Sequence, residues 1–261
     1  MDLGLREKVV IVTGGSAGIG QATALAFAGE GAKVAVVGRN IEPLRQTVSD
    51  IEAAGSEGLA VVADLSQLED VKRVVTETVD RFGRIDVLFN NAGSAMGGPF
   101  LEIPDEQWSV AMQLKFFGYM RLTREATPYL IQAGGGRIIN VIGGAGKEPT
   151  PGFLPGAATN AAIRNFNKGL ALALKPHNIL VNAISPGLTR TRRAVRLLEQ
   201  QAKMSGRPVE QLEKEQAANF IGGHITEPEE IAAVALFLAS KQVVTLTGVE
   251  IDVNGGTSHG L

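Results

Sequence analysis

The run Thr13-Gly14-Gly15-Ser16-Ala17-Gly18-Ile19-Gly20 follows a β-branched stretch and opens a helical pattern. At such a junction small residues let the backbone approach a phosphate, and the first turn of the helix offers unpaired N–H groups at the positive end of its dipole. The chemistry this suits is binding of a dinucleotide pyrophosphate, through Gly14, Ser16, Ala17, Gly18, Ile19 and Gly20; the competing reading is a tight turn that binds nothing. The second apolar run ends in Gly38, Arg39 and Asn40, with no acidic residue. A carboxylate there would hold a ribose 2′-hydroxyl and repel a 2′-phosphate, whereas a guanidinium pairs with phosphate through two charge-assisted hydrogen bonds. Arg39 therefore points to NADP(H), against a merely solvated surface charge.

Residues of this kind need strands that all end at one edge of a sheet and helices that begin there. Short β-branched runs alternate with longer helical patterns: strands at 9–13, 33–38, 58–64, 85–90, 137–142, 179–184 and 248–253, and helices near 18–29, 41–54, 67–82, 105–132, 156–174 and 227–240. Such alternation predicts an α/β fold, one doubly wound parallel sheet of about seven strands with helices on both faces, because right-handed crossovers lay each helix against the strands it joins. Runs this apolar read as central strands. The charged segment 190–220, broken at Gly206 and Pro208, reads as a helical excursion over a pocket, and residues 1–261 as a single domain.

Composition narrows the partners. With 25 basic and 27 acidic side chains the formal charge is −2, which gives no electrostatic footprint for nucleic acid or a membrane surface. The absence of cysteine removes disulfides, thiolate nucleophiles and thiolate metal sites, and fits a reducing compartment. The first twelve residues are too charged for a signal peptide, so a cytoplasmic protein acting on small molecules is expected. His177, His224 and His259 are scattered singly, without metal-ligand spacing.

The TGxxxGIG spacing of the first loop, with Asn90-Asn91-Ala92-Gly93 after the fourth strand, Asp64-Leu65 after the third and Ser185-Pro186-Gly187 after the sixth, resembles the short-chain dehydrogenase/reductase family. The resemblance runs from about residue 6 to 256. It implies that Asp64 and Leu65 contact adenine, that Asn91, Ala92 and Gly93 line the cofactor, and that Pro186, Gly187, Leu188, Thr189 and Thr191 hold the nicotinamide. It also implies assembly as a homodimer or homotetramer through the helices near 105–132 and 156–174 and through the C-terminal helix and strand.

The same resemblance implies an Asn-Ser-Tyr-Lys tetrad, and here the chain departs from it. Counting from Trp108, the Asn position holds Lys115; the Ser position is Gly143; counting back from Lys168-Gly169-Leu170-Ala171, the Tyr and Lys positions hold Gly156 and Asn160. The two tyrosines, Tyr119 and Tyr129, have no lysine four residues later, and no serine lies between Ser109 and Ser185, so a shift in alignment does not rebuild the tetrad. Lysine and asparagine have traded positions, which suggests that the ammonium of Lys115 has moved to the helix facing Asn160, keeping a positive charge near the nicotinamide ribose or a bound anion, with Asn160 itself among the expected cofactor-binding residues. Lys147, Glu148 and Tyr119 are further polar candidates for the pocket, with Glu148 the second catalytic candidate beside Lys115.

Two functions are open on this reading. One is an NADP(H)-dependent oxidoreductase with a non-standard site, acting on an activated acceptor such as a quinone or enone whose reduction needs no strong proton donor. The other is a catalytically inactive NADP(H)-binding sensor or scaffold protein. A lyase or hydratase using Lys115 and Glu148 is a third, weaker alternative.

Overall fold

The valine and isoleucine runs become the strands of one parallel sheet in the computed structural model, which describes residues 2–257. β1 (Val9–Thr13), wholly buried, pairs with β2 (Lys33–Gly38) on one side and β4 (Val87–Asn90) on the other. β3 (Gly58–Val62) adds outside β2, while β5 (Gly136–Val141), β6 (Ile179–Pro186) and β7 (Glu250–Val253) extend the sheet beyond β4. The order is β3-β2-β1-β4-β5-β6-β7. The winding reverses between β1 and β4, so the loops leaving these two strands diverge and leave a crevice at the carboxyl edge.

Helices α1 (Gly18–Gly29), α2 (Ile41–Ala53) and α3 (Leu68–Phe82) return the chain between the first strands. α4 (Asp105–Ala111) passes through a wide π-helical turn, Met112–Phe117, into α5 (Gly118–Gln132). α6 (Leu154–Leu174) precedes β6, α7 (Arg192–Ser205) and α8 (Val209–Ala217) follow it, and α9 (Pro228–Ala239) closes the set. One apolar core, including Val10, Phe27, Val36 and Leu238, fills the space between the sheet and α1 and α9; a second, including Ile11, Val74, Leu122 and Ile138, lies on the opposite face. A buried amide chain crosses this packing: Asn90 donates to Asn140 at 2.9 Å and Asn140 to Asn167 at 2.9 Å, fastening β4, β5 and α6 together. These directional bonds fix register where apolar contacts alone permit sliding, although the buried Asn90 Oδ1 itself has no partner among the described residues.

Several expectations need correction. β3 and β7 are edge strands although their sequences are apolar, and β3 ends at Val62, leaving Asp64 in the following loop. The strand expected at 85–90 begins at Val87 and that expected at 248–253 at Glu250, although Asp86, Gly248 and Val249 already bond to the neighbouring strands, whereas β6 runs on to Pro186. The helix expected over 105–132 is continuous in path but not in winding, since its centre is the π-helical turn. The charged excursion folds as α7 and α8, separated at Gly206, which has φ +67° as the stop signal required. Among the described residues no helix is long and apolar enough to cross a membrane, and no three His, Cys, Asp or Glu side chains come together to hold a metal ion.

Candidate active site

The loop after β1 is fitted to the loop after β4 by direct contact. The Thr13 hydroxyl accepts the N–H groups of Asn91 (2.8 Å) and Ala92 (3.0 Å), and the Asn91 side-chain amide donates to the Thr13 carbonyl at 3.0 Å. Gly14 has φ +68°, and a Cβ on it would stand 2.8 Å from the Asn91 amide nitrogen; a Cβ on Gly20 would collide with the Gly14 carbonyl. These glycines are required by the close packing of the loop as well as by any phosphate. The helix that follows begins without a side-chain cap at Ala17 and without an acidic residue in its first turn, so its N-terminal N–H groups are left for an anion.

A narrow cleft of about 170 Å³ opens beside this loop, lined by Gly14, Ser16, Gly38, Arg39, Leu65 and Ala92 among others. Arg39 and Asn40 are exposed at the end of β2. The Asp64–Leu65 segment is pinned by the Asp64 N–H, which donates to the Asp70 carboxylate at 2.7 Å; that bond, with Arg73, holds the Asp70 carboxyl below its ordinary range. At the other end, the Gly187 N–H donates to Val253 at 3.0 Å, Thr189 is buried and bridged to Thr226, and Leu188 is partly exposed. Thr191 is the N-cap of α7, accepting the Ala194 N–H at 3.2 Å, and its methyl lies 3.0 Å from where a Cβ on Gly18 would stand. The two halves of the expected cofactor site thus meet at Gly18 and Thr191.

Lys115 and Asn160, 45 residues apart in the chain, meet across the same edge: Lys115 Nζ donates to Asn160 Oδ1 at 2.7 Å. The π-helical turn carries Lys115, and its extra residue rotates the side chain relative to a regular helix, a device frequent at functional sites. The aliphatic stem crosses Gly93, where a Cβ would stand 2.9 Å from Lys115 Cδ. Burial, with no carboxylate beside it, pulls the ammonium pKa down to about 8. The Tyr119 ring centroid lies 5.9 Å from Nζ, so Tyr119 does share the face of Lys115. Its hydroxyl, however, is buried and donates to the Val141 carbonyl at 3.3 Å, and burial raises its pKa well above the ordinary tyrosine value.

Gly143 and Gly156 are not beside open space. A Cβ on Gly143 would stand 2.8 Å from Asn160 Nδ2. On α6, one turn before Asn160, a Cβ on Gly156 would collide with the edge of the Phe153 ring, whose Cδ1 is 2.9 Å from that point. Phe153 ends a short 3-10 turn that is joined to the loop after β4, since the Gly98 N–H donates to the Gly152 carbonyl at 3.0 Å. Nothing in the spacing of the sequence singled out Phe153; only its ring position does.

Other residues singled out in the sequence lie elsewhere. Lys147 is tied to Asp252 at 2.7 Å and faces Glu250 at 3.6 Å, in an ion-pair cluster completed by Arg164. Glu148 lies half-buried on the same loop, its N–H donating to the Gly144 carbonyl at 3.1 Å. His224 contacts Glu230 at 2.8 Å and His177 ends a 3-10 turn after α6, while His259 lies outside the described residues.

Residues 8–203 match the short chain dehydrogenase family, and the chain belongs to it. It is 35% identical over 251 residues to the short-chain reductase protein NovJ of Streptomyces niveus, covering 96% of this chain and 94% of that protein. It is 32% identical to the uncharacterized oxidoreductase YvrD of Bacillus subtilis over the whole length of both. Among solved structures, the L-sorbose reductase of Gluconobacter frateurii, complexed with NADPH and L-sorbose, superposes with a TM-score of 0.96 at 32% identity, with all of each chain covered.

Proposed function

We propose that this chain is an NADP(H)-dependent oxidoreductase in which the Lys115–Asn160 pair stands where the family's acid/base machinery is expected, and that its substrate is an activated acceptor such as a quinone or enone. The observation that carries the reading is the 2.7 Å hydrogen bond from Lys115 Nζ to Asn160 Oδ1 at the carboxyl edge of the sheet. The residues present fit the cofactor: the uncapped start of α1, the glycines pressed against Asn91 and the guanidinium of Arg39 are the donor set for a pyrophosphate and a 2′-phosphate. The binding of NADPH by the sorbose reductase supports the same cofactor here. Asp64 and Leu65 would flank the adenine, Asn91, Ala92 and Gly93 the central part, and Pro186, Gly187, Leu188, Thr189 and Thr191 the nicotinamide end.

When bound, NADPH supplies a hydride to the acceptor. Lys115, with a pKa of about 8, is chiefly an ammonium at neutral pH and holds a transferable proton at Nζ close to the working pH, the condition for effective general acid catalysis. Asn160 Oδ1 fixes the direction of that ammonium, and the buried stem over Gly93 keeps water from one side. A quinone or enone gains a delocalised negative charge on accepting hydride, so a single cation suffices to stabilise and protonate it. A simple ketone would develop a localised alkoxide, for which Gly143 and Gly156 offer no hydroxyl.

Gly156, faced by the Phe153 ring, favours a second reading, a cofactor-binding protein without turnover. Following NADPH absorbance across ketones, aldehydes, quinones and enones separates the two. Oxidation with quinones or enones that is lost in Lys115→Met supports the enzyme; tight NADPH binding with no oxidation by any acceptor supports the silent binder. In either case we propose one domain with α7 and α8 as its pocket cover, forming homodimers or homotetramers through the apolar groove of Met120, Pro128, Ile131, Phe166 and Leu170 between α5 and α6.

A further inference from the structure

Three guanidinium groups, Arg192, Arg193 and Arg196, project from the first turns of α7, and all are exposed. Their surroundings set them apart from the other arginines of the excursion. Arg190 bridges Glu213 and Glu227, and Arg207 pairs with Glu215, whereas none of the three forms an ion pair among the described residues, even with Glu199 one turn away. Their placement opposes local stability, because the start of a helix already carries positive partial charge and like charges three and four residues apart repel.

The position of α7 gives these charges a use. Its N-cap Thr191 touches the phosphate-loop helix at Gly18, and Arg193 Nη2 donates to the Ala95 carbonyl at 3.3 Å, two residues beyond the Gly93 that bears on Lys115. The loop that holds Ala95 exposes Met96, and the 3-10 turn after it Phe100 and Leu101, with Leu101 93% exposed. Arg193 therefore joins the cationic start of α7 to a segment that carries exposed apolar side chains.

We infer that Arg192, Arg193 and Arg196 form an anion-recognition edge of the acceptor pocket, selecting an apolar, conjugated acceptor that carries a carboxylate, sulfonate or phosphate. The inference rests on the reading of the cleft as a reducing site and adds the substrate class to it. The counter-charge that the described residues do not supply arrives with the acceptor, and association is steered by the same field.

The test compares NADPH oxidation by 1,4-naphthoquinone and by its 2-sulfonate, in the wild type and in the triple variant Arg192→Gln, Arg193→Gln, Arg196→Gln. Arg45→Gln, on the outer helix α2, is the control. The expected result is a sulfonate preference in kcat/KM that falls about tenfold in the triple variant, is retained in the control, and shrinks at high ionic strength as exposed charges are screened. A preference unchanged in the triple variant overturns the inference while leaving the reductase reading intact. An equal loss of NADPH affinity in calorimetry also overturns it, because the arginines then belong to the cofactor. If neither quinone is reduced, calorimetry of 2-naphthalenesulfonate with the NADPH complex decides. Weaker binding by the triple variant upholds the anion edge and sinks the reductase reading, and equal binding sinks the edge.

Discussion

The Phe153 ring occupies the space into which any side chain on Gly156 would project. Alanine normally stabilises the interior of a helix over glycine by about 1 kcal/mol, and Gly169→Ala on the same helix, with open space around it, should do so. Gly156→Ala should instead destabilise by about 1–3 kcal/mol, the range for overpacking a filled site, and become stabilising when measured on a Phe153→Ala background. Thermal melts of the four proteins check this; a higher melting temperature for Gly156→Ala alone would remove Phe153 from the position assigned to it.

The same contact bears on any attempt to install ketone chemistry. Gly156→Tyr with Asn160→Lys and Lys115→Asn, which leaves a single ammonium in the pair, should give a poorly folded protein, whereas adding Phe153→Ala should recover folding and bring NADPH-dependent ketone reduction. Circular dichroism and ketone-dependent NADPH oxidation in the two variants form the comparison.

Burying Lys115 costs stability, and its pH dependence has a definite sign. The unfolded chain holds the ordinary lysine pKa of 10.5 and the folded chain about 8, so between these values the unfolded state binds more protons and stability rises with pH. At pH 7 the penalty is present in full. Lys115→Met should therefore stabilise the protein there by about 2 kcal/mol, the ionisation penalty less the cost of leaving Asn160 unpartnered. The gain should fade as pH approaches that of free lysine, and denaturant midpoints at neutral and alkaline pH measure it.

If Lys115 supplies the proton, the reaction requires its ammonium. With a quinone or enone, kcat/KM should be level below and decline above about pH 8. Lys115→Met should lower the rate about 10²-fold and abolish that decline. A pH–rate profile with the same fall in wild type and variant assigns the proton to another group.

Arg39, exposed at the end of β2, should govern the choice of cofactor. Arg39→Ala should weaken NADPH binding about 10-fold or more while leaving NADH binding nearly unchanged, as the loss of one charge-assisted pair with the 2′-phosphate requires. Equilibrium titration of both cofactors decides it.

The strands and their gathering into one parallel sheet were legible in the sequence because their signals are local. Apolar runs of strand length, helical periodicity and a glycine loop at a strand end each arise from backbone sterics within a few residues. Boundaries shifted where partners set them: β3 and β7 lie at the edges, where only one neighbour supplies hydrogen bonds, and β4 and β6 shifted by two residues at one end each. The π-helical turn carrying Lys115 left no sequence signal, since Met112–Phe117 is compatible with a regular helix and its winding follows from packing.

By itself the sequence determined that position 115 is a lysine, position 160 an asparagine and positions 143 and 156 glycines. Only the tertiary structure decided that Lys115 and Asn160 make a bonded pair and that Phe153 closes the space beside Gly156. Spacing along a chain reports periodicity, whereas the direction of a long side chain is fixed by what the rest of the fold leaves unfilled.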